Sequence, residues 1–270
     1  KYIEGAADQQ IVQSADVRIS GPDYDDDTRD YVSSLIISNV DQTDCGAYYC
    51  VIENTDGQCH SQQAKLFVKE TLAHWTLNSD GYTGSQYSDV SAHGHAATVS
   101  GTPSFVAGAD GATGGAVYLT SGSGSGTTGT WNPSQDTGQM SVSAWVNWTG
   151  GSDTSIIADK ANGWDASQMM WTWGINPSTR KINFVSAGSS DFQTSTDLTD
   201  FTMNEWHHLI VTDDASNHAA QLYVDMQLVN TGTLVMGSKT DATIHLGIDA
   251  GGRYFCGKLD DVQIYNYVLD

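Results

Sequence analysis

The sequence predicts an all-β protein, and three observations support this prediction. Apolar and polar residues alternate in many short runs, the pattern of strands that bury one face. Gly, Ser, Asn and Asp separate these runs about every ten residues, as hairpin turns require. The acidic residues comprise 28 Asp but only four Glu, so turn formers are abundant where helix formers are scarce.

The net charge argues against several classes of partner. Eleven Lys and Arg residues stand against 32 Asp and Glu, for a formal net charge of -21. Because nucleic acids and anionic membrane surfaces are held by clustered cations, we expect neither as a partner. No apolar run approaches the roughly 18 residues of a transmembrane helix, so we expect no membrane insertion.

A change of pattern divides the chain near residue 70. One alternating run ends at Val68, and a fresh one begins at Ala73. We therefore predict a first domain at residues 1–70 and a second at 71–270. No signal-peptide pattern follows Lys1, and we expect the chain to be an excerpt of a longer exported protein.

In the first domain, the run LIISNVDQTDCGAYYC at residues 35–50 gives a strand, a corner and a second strand that ends at a cysteine. It resembles the second half of an immunoglobulin-like domain. The resemblance implies a partial β-sandwich whose first strands are missing. It also implies a structural role for Tyr48, whose hydroxyl would fix the corner by bonding to nearby backbone.

Three of the four cysteines lie close together in the first domain. Cys45, Cys50 and Cys59 fall within 15 residues in no zinc-type spacing, and Cys256 lies far away. A bridge from residue 59 to either 45 or 50 is one alternative, and three free thiols are the other. A disulfide would fit a secreted or cell-surface protein.

The second domain shows many strand-like runs but no helix of useful length. The Gly- and Ser-rich segment TSGSGSGTTGT at residues 120–130 stands between two such runs, so we predict a loop within the fold. The runs that define the domain are AHWTLNSDG (73–81), MSVSAWV (140–146), EWHHLIVTDD (205–214), LYVDMQLV (222–229) and GKLDDVQIYNYVL (257–269).

These blocks, in this order, resemble the laminin G-like, concanavalin A-like jelly roll of bacterial extracellular proteins. In the fourth block Met226 stands where family members usually have glycine, so the turn there is expected to differ. The resemblance implies a two-sheet β-sandwich. It does not imply one function, because this fold serves many.

Catalysis is not expected. Glucanases of this architecture use two glutamates about 5 Å apart, and the second domain contains only Glu205. Lyases of the same fold need clustered cations, yet Arg180 and Arg253 are isolated in the sequence.

A structural calcium ion is expected from the resemblance and from the aspartates. Asp80 ends the first strand of the domain, Asp89 lies in the following loop, and Asp260 begins the last strand. In the family the first and last strands are neighbours, so these three carboxylates could hold an ion between them. Calcium takes six to eight oxygen ligands of this kind, whereas the alternative is that the aspartates only cap turns.

Tryptophan is the natural platform for a sugar ring, since its face matches the apolar C–H face of a pyranose. We expect Trp75, Trp145 and Trp206 to be buried in the blocks of the resemblance, and Trp171 and Trp173 to form an apolar stripe. The loop aromatics expected to meet solvent are Trp131, Trp148 and Trp164. The polar residues nearest them in sequence are Lys160, Asn162, Asp165 and Arg180.

The function that these observations predict is noncatalytic carbohydrate binding. The second domain would hold a polysaccharide through loop tryptophans and polar groups, and would keep an appended catalytic domain near its substrate. The alternative is an adhesion or structural spacer module that binds protein partners within a larger extracellular protein.

Overall fold

In the part of the chain that the structure describes, the regular structure is β apart from one turn of 3-10 helix at Gln42–Asp44. The computed structural model describes residues 11, 14–27, 30–186, 192–194 and 201–269. The all-β prediction is therefore confirmed for this part of the chain. Two compact units are present, Lys1–Lys69 and Glu70–Asp270, and the predicted boundary was residue 70.

Six strands in three antiparallel pairs are found among the described residues of the smaller unit. They are β1 (Val17–Asp25) with β2 (Asp30–Ile37), β3 (Gly46–Tyr48) with β6 (Ala64–Leu66), and β4 (Val51–Asn54) with β5 (Gly57–His60). Tyr48 is buried, and its hydroxyl donates a hydrogen bond to the carbonyl oxygen of Asp44. This contact fixes the corner before β3. The resemblance of the unit to an immunoglobulin-like domain stays a prediction.

All four cysteines are free thiols. Cys59 lies opposite Ile52 in the β4–β5 ladder, so Cys50 is not its cross-strand neighbour. The thiol of Cys45 instead accepts a hydrogen bond from the backbone N–H of Val68, at 3.3 Å. Of the two alternatives for Cys45, Cys50 and Cys59, a bridge to Cys59 or three free thiols, the structure has the free thiols.

The larger unit is a sandwich of two antiparallel sheets. The first sheet has nine strands: β8 Tyr82–Thr83, β9 Gln86–Tyr87, β10 Ala97–Val99, β13 Gly126–Thr130, β15 Ser155–Ala161, β16 Met169–Ile175, β17 Ile182–Val185, β18 Phe192–Gln193 and β22 Thr243–Leu246. They lie in the order β18-β17-β16-β15-β22-β13-β10-β9-β8.

The second sheet has eight strands: β7 Thr71–Trp75, β11 Ser104–Val106, β12 Ala116–Leu119, β14 Gln139–Trp148, β19 His207–Asp214, β20 Ala219–Val224, β21 Gln227–Thr233 and β23 Gly257–Tyr265. Seven of them lie in the order β11-β12-β23-β14-β19-β20-β21, and β7 also pairs with β23.

Strand alternation fills the space between the sheets with apolar side chains. On β14 the even-numbered residues from Met140 to Trp148 belong to the core, while the odd-numbered ones face outward. The largest fully buried side chains include Trp75, Trp171 and Trp173. Each large apolar side chain that is buried this way contributes about 1.5 to 3 kcal/mol.

The first and last strands of the larger unit pair, as the resemblance implied. Trp75 of β7 lies opposite Val262 of β23. The indole nitrogen of Trp75 also donates to the carbonyl oxygen of His95, at 2.7 Å. The strand pairing joins the beginning of the unit to its end, and the indole hydrogen bond holds β7 to the segment before β10.

The Gly- and Ser-rich segment at residues 120–130 is only partly a loop, so the prediction for it was wrong in part. Thr120 and Ser123 form an isolated bridge at a turn, but Gly126–Thr130 is strand β13. A Cβ atom at Gly126 would lie 3.1 Å from the Cβ of Ala97, so glycine lets β13 fit beside its neighbours. A Gly- and Ser-rich composition is typical of loops, but here the glycine is needed for a strand to pack beside its neighbour.

Within the described residues, no helix is long and apolar enough to cross a membrane.

Candidate functional site

The exposed indole ring of Trp164, in the larger unit, is covered on one face by the guanidinium group of Arg253. It lies in the loop between β15 and β16, and 47% of the residue's surface is exposed to solvent. The guanidinium carbon of Arg253 lies 3.8 Å from the ring centroid. A cation at this distance is attracted by the ring, and the pair restrains the orientation of the indole.

Arg253 is itself fixed by a buried carboxylate. Its Nε donates to Oδ2 of Asp249 at 2.7 Å, and Asp249 is 3% exposed. The other carboxylate oxygen accepts the backbone N–H groups of Gly251, at 2.9 Å, and Arg253, at 2.8 Å. Asp249 thus organises the loop that follows β22 and sets the position of the guanidinium.

A second carboxylate connects this loop to the sheet. Asp159 of β15 lies opposite His245 of β22, and its Oδ1 is 2.5 Å from the Nδ1 of that histidine. Its Oδ2 accepts the backbone N–H of Ala250, at 3.3 Å. Burial raises the pKa of Asp159, although the hydrogen bond with His245 opposes this effect.

We call Asp159, Trp164, His245, Asp249 and Arg253 the Trp164 cluster. Both of its carboxylates already accept hydrogen bonds from the protein. Each carboxylate therefore helps to position the groups that it bonds. The cluster combines a restrained aromatic ring with polar groups, which is the chemistry that holds a neutral sugar.

The structure places two predicted polar residues in the Trp164 loop and one elsewhere. Asn162 and Asp165 are exposed in that loop, and the Oδ1 of Asn162 accepts the backbone N–H of Thr243, at 3.1 Å. Arg180 is exposed in the turn between β16 and β17. That turn is at the opposite end of β16 from Trp164, so Arg180 does not belong to the cluster.

Lys160 is not a surface group, and the prediction that it meets a ligand was wrong. It is fully buried, and its Nζ donates to the carbonyl oxygens of Trp131, at 2.6 Å, and Ala242, at 2.7 Å. Burial lowers the pKa of Lys160 to about 8. The residue joins β15 to two loops, a structural role.

Two of the three predicted loop tryptophans are also not exposed platforms. Trp148 is only 2% exposed, and its indole nitrogen donates to Oγ of Ser155 at 2.9 Å, so the prediction that it meets solvent was wrong. It continues the inward-facing series of β14. Trp131 is half-buried against the core, and its ring stacks on His95 with centroids 4.0 Å apart.

Two tryptophans expected in the core are instead half-buried, which corrects a second part of the prediction. Trp206 lies beneath the Nζ of Lys258, which is 6.0 Å from its ring centroid. Trp145 is odd-numbered on β14 and faces outward, with its ring centroid 4.9 Å from that of His208. It lines a groove of about 300 Å³ together with Asp110, Asp260 and Asp261.

The three predicted calcium ligands do not share one site. Asp80 is exposed, while Asp89 accepts the backbone N–H groups of His74, Ser91 and His95 at 3.0, 2.9 and 2.8 Å. Burial alone would raise the pKa of Asp89, but these hydrogen bonds outweigh it and lower the pKa. Asp260 accepts the N–H of Ala109 at 2.9 Å. Within the described ranges, no group of three or more acidic, histidine or cysteine side chains is arranged to hold a metal ion.

Comparison with solved structures places the larger unit among known β-sandwich domains. Domain 4 of AbnA, a GH43 extracellular arabinanase from Geobacillus stearothermophilus solved with arabinotriose, is 17% identical with a TM-score of 0.56, over 75% of this chain and 95% of that one. The binding domain of Paraclostridial Mosquitocidal Protein 1 is 14% identical with a TM-score of 0.55, over 74% and 50% of the two chains. A Trypanosoma rangeli sialidase is 12% identical with a TM-score of 0.53, over 73% and 30%. At these identities the likeness concerns the fold.

Comparison with curated proteins gave no match. The family profile Laminin_G_3, described as the concanavalin A-like lectin/glucanases superfamily, matches residues 120–270. This match spans more than half of the chain, and every member of the Trp164 cluster lies within the matched residues. The chain therefore belongs to the concanavalin A-like lectin/glucanases superfamily.

Proposed function

We propose that the larger unit is a noncatalytic carbohydrate-binding module that holds a neutral polysaccharide, with Trp164 as its sugar platform. The observation that carries the proposal is the exposed indole of Trp164, restrained by an arginine that a buried aspartate fixes. A platform whose orientation is already set loses little conformational entropy on binding, which favours affinity.

The charge of the chain favours a neutral ligand. The protein carries a formal net charge of -21, so sulfated or uronic polymers are repelled over most of its surface. The cation of the cluster, Arg253, is already paired with Asp249. Neutral hydroxyl groups, in contrast, can bond to the exposed amide of Asn162 and the exposed carboxylate of Asp165 in the Trp164 loop.

Two structural relatives support a binding role. Domain 4 of AbnA was solved with arabinotriose, and the mosquitocidal protein domain is a binding domain. By analogy, the module would serve a secreted or cell-surface protein and would keep an appended catalytic domain near its substrate. The noncatalytic part of the proposal is supported by the two carboxylates of the cluster, which are engaged with the protein itself.

Replacing Trp164 by alanine is expected to weaken polysaccharide binding about thirtyfold or more, because an aromatic anchor of an interface commonly carries about 2 kcal/mol or more. The measurement is affinity gel electrophoresis in gels that contain linear arabinan, xylan or a mixed-linkage glucan. Trp206→Ala is the matched control, since it removes a half-buried tryptophan outside the cluster.

Equal retardation of Trp164→Ala and wild type would remove Trp164 from the site. No retardation of the wild type in any of these gels, together with no signal on an array of plant, microbial and host glycans, would refute the carbohydrate-binding function. An adhesion or spacer role would then be the better description.

Calcium is a separate proposal, which rests on the sequence resemblance and on Asp260. Of the three predicted ligands, Asp260 is the one that lies in a groove beside other oxygen donors, Asp110 and Asn78. An ion there would need main-chain oxygens as well. If it binds, millimolar calcium raises the melting temperature relative to EDTA, and Asp260→Asn abolishes the difference. An unchanged melting temperature of the wild type contradicts the proposal.

A further inference from the structure

A row of polar side chains crosses the nine-stranded sheet beside the Trp164 cluster. Gln86 of β9 lies opposite Thr98 of β10, Thr98 opposite Thr127 of β13, and Thr127 opposite His245 of β22. His245 in turn lies opposite Asp159. Because directly paired residues of antiparallel strands point to the same face, all five side chains share one face of the sheet.

This face is the outer one. The residues that alternate with the row, Tyr87, Ala97 and Leu246, are buried in the core between the sheets. Gln86, Thr98 and Thr127 are exposed, and His245 is partly exposed with 14% of its side chain accessible. The row is therefore open to solvent at Gln86 and ends at the buried Asp159 of the Trp164 cluster.

The row has the length of a short oligosaccharide. Neighbouring strands lie about 4.8 Å apart, so the three intervals from Gln86 of β9 to His245 of β22 span roughly 14 Å, the length of about three sugar units, and Trp164 would hold about one more. Its open members present an amide and two hydroxyls, and the amide nitrogen of Gln86 donates to the hydroxyl of Thr98 at 3.3 Å. The row contains no lysine or arginine, so it suits neutral hydroxyl groups better than acidic ones.

We propose that the row from Gln86 to His245 is an extended binding track for a linear neutral glycan chain, with Trp164 at one end as its anchor. This inference rests on the proposed function and adds to it the class of ligand, a chain of about four units that crosses the strands of the sheet. The protein would therefore bind within a polysaccharide or a long oligosaccharide in preference to a single terminal sugar.

The test is calorimetric titration with arabino-, xylo- and cello-oligosaccharides of two to six units. The affinity of the wild type for at least one series should rise about tenfold from the disaccharide to the tetrasaccharide and then level off. The double variant Thr98→Val and Thr127→Val should lose most of this rise, because each lost hydrogen bond lowers affinity about three- to tenfold. Thr233→Val is the matched control, since Thr233 is an exposed strand threonine on the other sheet.

The possible outcomes distinguish a failure of the proposed binding track from a failure of the proposed carbohydrate-binding function. If Trp164→Ala abolishes polysaccharide retardation but disaccharides and hexasaccharides bind equally well, the track is refuted and the carbohydrate-binding function stands. If the double valine variant keeps the full chain-length dependence, the track is likewise refuted. If no series binds at all, the track is refuted, and retardation by the polymers decides the function independently.

Discussion

Replacing Trp148 by alanine is expected to lower the free energy of unfolding of the larger unit by about 4 kcal/mol. The indole is 2% exposed, and its ring centroid lies 6.3 Å from that of Phe201. The substitution leaves a large cavity between the sheets. It also leaves the hydroxyl of Ser155, which is fully buried, without the indole N–H.

Chemical denaturation followed by tryptophan fluorescence measures this loss, with circular dichroism as a second probe. Trp164→Ala is the matched control, because the same substitution at an exposed ring should change stability by less than about 1 kcal/mol. A similar stability for the two variants would mean that Trp148 is not the core residue described here. Together the two variants separate a tryptophan that holds the fold from one that is proposed to hold the ligand.

The buried carboxyl group of Asp213 is expected to contribute a fall of about 3 kcal/mol in the free energy of unfolding of the larger unit as the pH rises from about 4 to about 7. This residue of β19 is fully buried opposite Met140 and Ala220, both members of the core. Neither of its carboxylate oxygens has a hydrogen-bond partner among the described residues. Burial, with a smaller contribution from Asp214, raises the pKa of Asp213 from 3.8 to about 7.

The direction follows from where the proton is held. Below pH 4 the carboxyl group is protonated in both the folded and the unfolded state, so it does not alter their balance. Between pH 4 and 7 the folded protein keeps the proton and the unfolded chain loses it, so each step up in pH favours unfolding. Above pH 7 the folded protein carries a buried, unpaired charge, and the contribution no longer changes.

Asp213→Asn removes this contribution, so the stability of the variant is expected to fall less between pH 4 and 7 than that of the wild type, and to be higher than that of the wild type at pH 8. The measurement is urea denaturation at half-unit steps from pH 4 to 8. Asp165→Asn is the control, since it neutralises an exposed aspartate and should leave the profile unchanged. A profile of Asp213→Asn parallel to that of the wild type would show that Asp213 is solvated or paired in solution.

Local pattern was enough to predict the fold, but not to sort its tryptophans. Alternation predicted the strands because each buries one face, and the same alternation, followed one residue at a time along β14, separates the inward Trp148 from the outward Trp145. Membership in a block of the resemblance carries no such information, so the predictions for the two residues were reversed. The prediction for Lys160 was wrong because its two acceptors, the carbonyl oxygens of Trp131 and Ala242, are distant in sequence, so the sequence does not show that the ammonium group is buried and hydrogen-bonded.

The partners of Trp164 could not have been found from the sequence. Arg253 and Asp249 follow it by more than 80 residues, and they reach it only because β22 pairs with β15. The same is true of the polar row, whose members come from five strands and align only through the register of the sheet. Periodicity identifies which residues face outward, whereas tertiary pairing decides which of them become neighbours.

The position of β23 sets a condition on how this protein is made. The strand lies between β12 and β14 and also pairs with β7, so the middle of the eight-stranded sheet is filled by a strand that is synthesised after the other described strands of this unit. Until β23 is synthesised, β7, β12 and β14 lack the strand with which each of them pairs. Closure depends on contacts between residues nearly 200 positions apart, and such distant pairings make folding slow and leave the nascent chain open to aggregation.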